Sequence, residues 1–281
     1  MSIKYPDPFL EVRVTHLAPP LHAEALCSGY EGGTWRSERL ADHLFQWLPY
    51  AALSQEHQLS FGSHNFVELL RLAAAHIYNT EKTLTRGELG ELLLHIACVL
   101  HYSCVPVVCK LLLKTSSNDT VKGFDGIHLI PSDESFDLWL GESKFYQDPR
   151  AAVRDAVSSV KNHILPDFLN TEKAMVFGHI PSGIPHHAEI VKLFKRQTSS
   201  DELIRKSVFP ILVAYESRSV SSYNHVCGEF VCALKNEVAN LRVYFQEQIQ
   251  NVPLRFQLIF VPMERKADVV SSFDKKLEPF L

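Results

Sequence analysis

No run of apolar residues in this 281-residue sequence approaches the roughly 18 that a membrane-spanning helix needs, so no such span is expected. Cys-x-x-Cys pairs are missing too. The six cysteines (27, 98, 104, 109, 227 and 232) have spacings that do not suit the usual zinc ribbons. Several sit in apolar runs, where cysteine behaves as a small hydrophobe. The N-terminus has no secretory signal, and with these cysteines that predicts a reducing, cytoplasmic setting. A basic excess is also absent. Lys and Arg number 28 against 32 Asp and Glu, a net charge of −4, so no global field advertises nucleic-acid binding. Neither Gly-x-Gly-x-x-Gly nor Gly-x-x-x-x-Gly-Lys-Ser/Thr follows a strand pattern, which leaves those two modes of nucleotide binding unsupported. Ser143 lacks the second glycine of a nucleophile elbow. Internal repeats and low-complexity linkers are absent.

What is present is an ordinary globular composition, 46% hydrophobic and 21% charged, sufficient for a real core. The length exceeds one typical domain but fits one α/β domain with additions. Residues 1–64 carry no chemistry and are expected to form an N-terminal α+β extension packed on the core. Within them Phe9–His16 alternates like a strand, Gly29, Gly32 and Gly33 mark a loop, and Leu40–Leu53 has helical spacing. The remaining 65–281 form the domain of interest. Apolar spacing predicts an amphipathic helix over Asn65–Asn79 and a stronger one over Thr85–Leu100, with Thr85 and Glu88 as a capping box. Glu88 and Glu91 are three apart and share one side of that helix. They read either as solvated acids suited to a helix N-terminus or as acids with a task.

Val105–Lys114 is a continuous apolar run and reads as a buried strand, followed by a polar turn at Ser116–Thr120. After Asp148 and Pro149, an N-cap and a first helical position, an inward face runs from Ala152 to Ile164. Arg150, Arg154 and Lys161 lie on its polar side, as solvated residues or as phosphate contacts. Residues 176–206 read as irregular, then helical, with His179, His186 and His187 at the surface and a basic run at Lys192, Lys195 and Arg196. These basic residues are open to DNA or partner contact or to plain solubility. Val208–Tyr215 and Leu254–Pro262 predict strands; Val226–Ile249 and Lys266–Leu277 predict helices. The order gives an α/β fold, a mixed sheet flanked by helices.

The chemistry concentrates in Gly123–Phe145. Two strands are expected there, joined by a turn at Pro131–Ser135, with Asp125 on the first and Glu142 and Lys144 on the second. Alternation along a strand sends Glu142 and Lys144 to one face. Two acids and a lysine converging on a sheet otherwise apolar on both faces make a poor core, since buried charge is costly unless paired or metal-bound. Carboxylate oxygens suit Mg²⁺. A structural carboxylate–lysine network is the plainer alternative.

A helix with Glu91 or Glu88, then Asp125, then Glu142-Ser143-Lys144 on the next strand, then a helix, resembles the PD-(D/E)xK nuclease superfamily, with its restriction-endonuclease-like core. Phe124 stands where that pattern has proline. More narrowly, GELGELLLHIACVL, GFDGIHL and LWLGESKFY are similar to the HamA nuclease subunits of the Hachiman anti-phage defence system, over roughly residues 65–280. The resemblance implies a metal-dependent DNA nuclease held in check by a helicase partner, HamB. Such a partner would explain how an acidic protein meets DNA. It further implies Mg²⁺ or Mn²⁺ at Asp125, Glu142 and the Ser143 backbone carbonyl, with Glu91 holding a second ion or a metal water. Lys144 would orient or deprotonate the attacking water. The alternatives are a catalytically inactive nuclease-fold subunit that binds a helicase or senses DNA, and a phosphoesterase for small molecules.

Overall fold

The structure is a computed structural model that describes residues 3–17, 19, 21–78, 87–113, 123–250 and 252–281. Its strands are β1 (Glu11–His16), β2 (His22–Cys27), the short β3 (Tyr30–Glu31) and β4 (Thr34–Trp35), β5 (Val105–Cys109), β6 (Gly126–Pro131), β7 (Phe136–Phe145), β8 (Ser207–Glu216) and β9 (Arg255–Met263). Its helices are α1 (Ser37–Ala52), α2 (Gln55–Ser60), α3 (Phe66–Tyr78), α4 (Gly87–Leu100), α5 (Lys110–Leu113), α6 (Pro149–His163), α7 (Pro166–Phe177), α8 (His187–Phe194), α9 (Ser200–Arg205), α10 (Arg218–Ser221), α11 (Gly228–Gln248) and α12 (Lys266–Leu277).

Seven strands form one mixed sheet in the order β1-β2-β9-β8-β7-β6-β5. The central β7, β8, β9 and β2 run parallel, and antiparallel strands close both edges. Continuous apolar runs in β8 and β9 follow from this position, because a central strand is covered on both faces. On one face α4 packs against β7 and β8, with α1 against α4 and α12 against α1; on the other, α6 packs against the same strands and α11 against α6. This is the mixed α/β architecture of a restriction-endonuclease-like core. The N-terminal residues share its sheet, since β2 pairs directly with β9. That strand has no clear alternation and was not anticipated.

Several expectations need correction. The apolar run from Val105 is not one strand. It ends at Cys109 and turns into α5, where three consecutive leucines favour helix over the β-branched residues before them. It also lies at the sheet edge, with Val105 and Pro106 only half-buried. Asp125 sits one residue ahead of β6 instead of within it. Glu88 and Glu91 do not line a solvated face: α4 is buried from Glu88 through Val99. Pro166 begins a further helix, α7, where no element was assigned. Thr85 of the capping box, Lys114 and the Ser116–Thr120 turn lie outside the described residues. The helix after Asp148 forms as expected, with the Asp148 carboxylate accepting from Ala151 N–H.

Candidate active site

The site follows from a mismatch in strand length. Gly126 pairs with Gly141, so β7 continues for four more residues, Glu142–Phe145, after β6 has begun. Along that overhang β8 still pairs with one edge, and the other edge presents backbone donors. The Asp125 carboxylate takes one of them. Its Oδ2 accepts from Ser143 N–H at 2.8 Å and from Ser143 Oγ at 2.7 Å. Its Oδ1 meets Lys110 Nζ at 3.0 Å. Lys110 N–H also donates to the Asp125 carbonyl at 3.1 Å, so the two residues are tied by backbone and side chain together.

Alternation places Ser143 toward α4 and its neighbours toward α6. Gly90 of α4 lies so close to β7 that a Cβ there would stand 3.1 Å from Ser143 Oγ. On the other face Lys144 Nζ donates to Glu142 Oε1 at 2.6 Å and to Ser159 Oγ of α6 at 3.1 Å. Glu142 Oε2 accepts no hydrogen bond among the described residues; His163 Nδ1 stands 3.5 Å away. The sheet end and the two helices enclose a cleft of about 580 Å³, lined among others by Glu91, Lys110, Asp125, Glu142, Lys144 and His163. Glu142 is 3% exposed, Asp125 6% and Glu91 7%.

The charges in this cleft act on one another. Burial works against the Asp125 carboxylate, yet Lys110 and the Ser143 hydroxyl outweigh it and hold the group below its ordinary range. Glu142 is pushed up to about 7, first by burial and then by the Asp125 charge, against the pull of Lys144. Lys110 and Lys144 are both held above the usual lysine range: burial opposes their charge, but Asp125 and Glu142 respectively overcome it. His163 falls to about 4 through burial and is neutral at pH 7.

The structure thus brings Glu91, Asp125, Glu142, Ser143 and Lys144 to one cleft, while Glu88 is buried beside it without lining it. Arg150, Arg154 and Lys161 do not line it. Arg150 lies over the Tyr244 ring, Arg154 binds Tyr244 Oη and Lys161 binds the Gln248 carbonyl, so all three engage α11. Lys195 and Arg196 line a separate groove beside α7. Besides His163, which also lines the cleft, two groups were missed. One is Lys110, the single charge inside Val105–Leu113, and that isolation was its only signal. The other is Glu172 of α7, which accepts from Phe124 N–H at 3.2 Å, next to Asp125. Burial pushes Glu172 up to about 8.

A family model for HamA matches residues 4–277. The chain belongs to the HamA family. Membership makes it a protein of the Hachiman defence system, and the match takes in β1 and β2 as well as the cleft. A search of curated proteins gives no match. Among the described residues no helix of this HamA chain is long and apolar enough to cross a membrane.

The donors in the cleft fit a hard divalent cation in kind: Asp125 Oδ1, the unbonded Glu142 Oε2 and the Ser143 carbonyl are all oxygens at one sheet end. In the present arrangement, however, lysine ammoniums face both carboxylates, and no three acidic, His or Cys side chains among the described residues are grouped as a ligand set.

Proposed function

We propose that this HamA chain is a metal-dependent DNA nuclease, the effector of its defence system, working with and restrained by a helicase partner. What supports this most directly is the meeting of Asp125, Glu142 and Lys144 in one open cleft, where the strand overhang leaves room for a polynucleotide phosphate. Asp125, Glu142 and the Ser143 carbonyl would hold Mg²⁺ or Mn²⁺, and Glu91, which lines the same cleft, would support a second ion or a coordinated water. When bound, the ion supplies Lewis-acid activation of water and charge on the scissile phosphate.

The protein's own residues do the positioning. Ser143 fixes the Asp125 carboxylate through two donors, leaving Oδ1 directed elsewhere. Ser159 and Glu142 hold the Lys144 ammonium at the cleft wall, from which it can orient an attacking water or meet phosphate charge. With a net charge of −4, delivery of DNA by a partner explains what the chain's own field does not.

The test is cleavage of plasmid and linear DNA with Mg²⁺ or Mn²⁺, with and without the co-encoded helicase and ATP. Wild type is compared with Glu142→Ala and Lys144→Ala, both checked by thermal melting. Cleavage by wild type alone supports the reading. Absence of cleavage in every condition, or equal cleavage by the folded variants, overturns it in favour of an inactive interaction subunit.

A further inference from the structure

Lys110 is a charged residue in the cleft that the superfamily pattern does not call for. It opens α5 immediately after the edge strand β5, and its backbone and side chain are both paired with Asp125. Ser143 uses Oδ2 of that carboxylate twice, so Oδ1 is the oxygen through which Asp125 can bind anything else, and Lys110 Nζ stands on it at 3.0 Å. An ammonium and a divalent cation cannot both sit closely on one carboxylate oxygen without like-charge repulsion in a confined, largely buried site.

We propose that Lys110 is a resident counter-cation of Asp125 that competes with the divalent ion, so that the ion binds only as the Lys110–Asp125 pair opens. This rests on the metal reading of the cleft. It makes the resting affinity for the ion a property set by the protein: two states, one with lysine on Oδ1 and one with metal, are linked through a single oxygen, and whatever draws the ammonium away favours loading. A polyanionic substrate entering the cleft is the natural second partner for the ammonium.

Mn²⁺ binding, followed by the loss of free-ion signal in electron paramagnetic resonance, tests this without any activity measurement. Wild type, Lys110→Met, Lys110→Gln and the double variant Lys110→Met/Asp125→Asn are compared, with folding checked by circular dichroism. We expect the two uncharged single variants to bind Mn²⁺ about tenfold tighter than wild type, and the double variant to lose that gain. Equal or weaker binding by the folded single variants overturns the competition and leaves the metal site standing. If no protein binds Mn²⁺ at millimolar concentration, the metal reading falls as well, and the two failures are thereby told apart. A second measurement on wild type alone guards against misfolded variants. Acetylation of Lys110 by a small amine-reactive ester, read by mass spectrometry, is expected to rise severalfold when Mn²⁺ is bound; no rise with Mn²⁺ bound overturns the proposal.

Discussion

Helix α4 serves two buried polar clusters of opposite character. Glu91 faces the cleft at the sheet end, among carboxylates and ammoniums. One turn further on, His95 faces the sealed interior, where its Nδ1 lies 3.1 Å from Nε2 of His128 on β6 and its ring meets Trp47 edge-on at 5.8 Å. Burial pushes His95 down to about 4 and His128 well below the ordinary histidine range, so both are neutral and share one hydrogen bond. Where nothing enters, the protein has discharged its polar groups. Where a cleft opens, Asp125 stays charged against Lys110, and Glu142, pushed up to about 7, is set against the Lys144 ammonium. Charge held at an opening is what separates the cleft from the sealed histidine pair.

The sharpest way to break that contrast is to truncate one residue in each cluster. Glu142→Ala or Lys144→Ala is expected to lower DNA cleavage per folded molecule by roughly 10²–10⁴-fold, as read in a plasmid assay, and to lower the melting temperature as well, since each leaves its partner's charge buried and unpaired. His128→Leu should touch stability alone. It leaves His95 buried without its partner, at a cost of about 1–3 kcal/mol in urea unfolding, with cleavage per folded molecule and Mn²⁺ binding unchanged. The double change His95→Leu/His128→Leu is expected to cost less than the sum of the singles, since no orphaned partner then remains. A histidine variant that folds normally but fails to cut would erase the distinction.

The two clusters also differ in how stability depends on pH. Folding raises Glu142 from its reference value of 4.5 to about 7. The folded state thus keeps a proton that the unfolded chain has released. Stability from this group is full below about 4.5 and is lost as pH rises through about 7. Glu142→Gln removes that dependence. Its unfolding free energy relative to wild type should climb between pH 5 and 8, by an amount on the order of 1–3 kcal/mol, and added Mg²⁺ should shrink the climb by stabilising the ionised carboxylate of wild type. A difference that stays flat across this range would mean that Glu142 is ionised throughout.

Much of this was legible in the chain. Glu142 and Lys144 announce themselves as charges in an apolar strand, and the β7–α6 connection is written in Asp148 and Pro149. Lys110 was not legible, because the leucines that follow it extend an apolar pattern and hide a change from strand to helix at Cys109. The place of β2 beside β9 was not legible either: it depends on a pairing between residues more than two hundred positions apart, which no local pattern encodes. Glu172 comes next to the site from a helix that was not expected, accepting from Phe124 N–H where the chain enters β6.

The smallest effect expected is also the one that separates the two acids of α4. Both are 7% exposed, and their spacing on one side of a helix gives neither priority. Their surroundings do. Glu91 lines the cleft and its charge helps hold Lys110 protonated, whereas Glu88 lies one turn nearer the helix start, where an acid suits the unpaired N–H groups of the first turn. Glu91→Gln should accordingly lower cleavage about tenfold with a nearly unchanged melt. Glu88→Gln should lower the unfolding free energy by a few tenths of a kcal/mol and leave the rate alone. If the two effects are exchanged, the helix meets the cleft one turn earlier than its side chains indicate, and Glu88 takes the position given to Glu91.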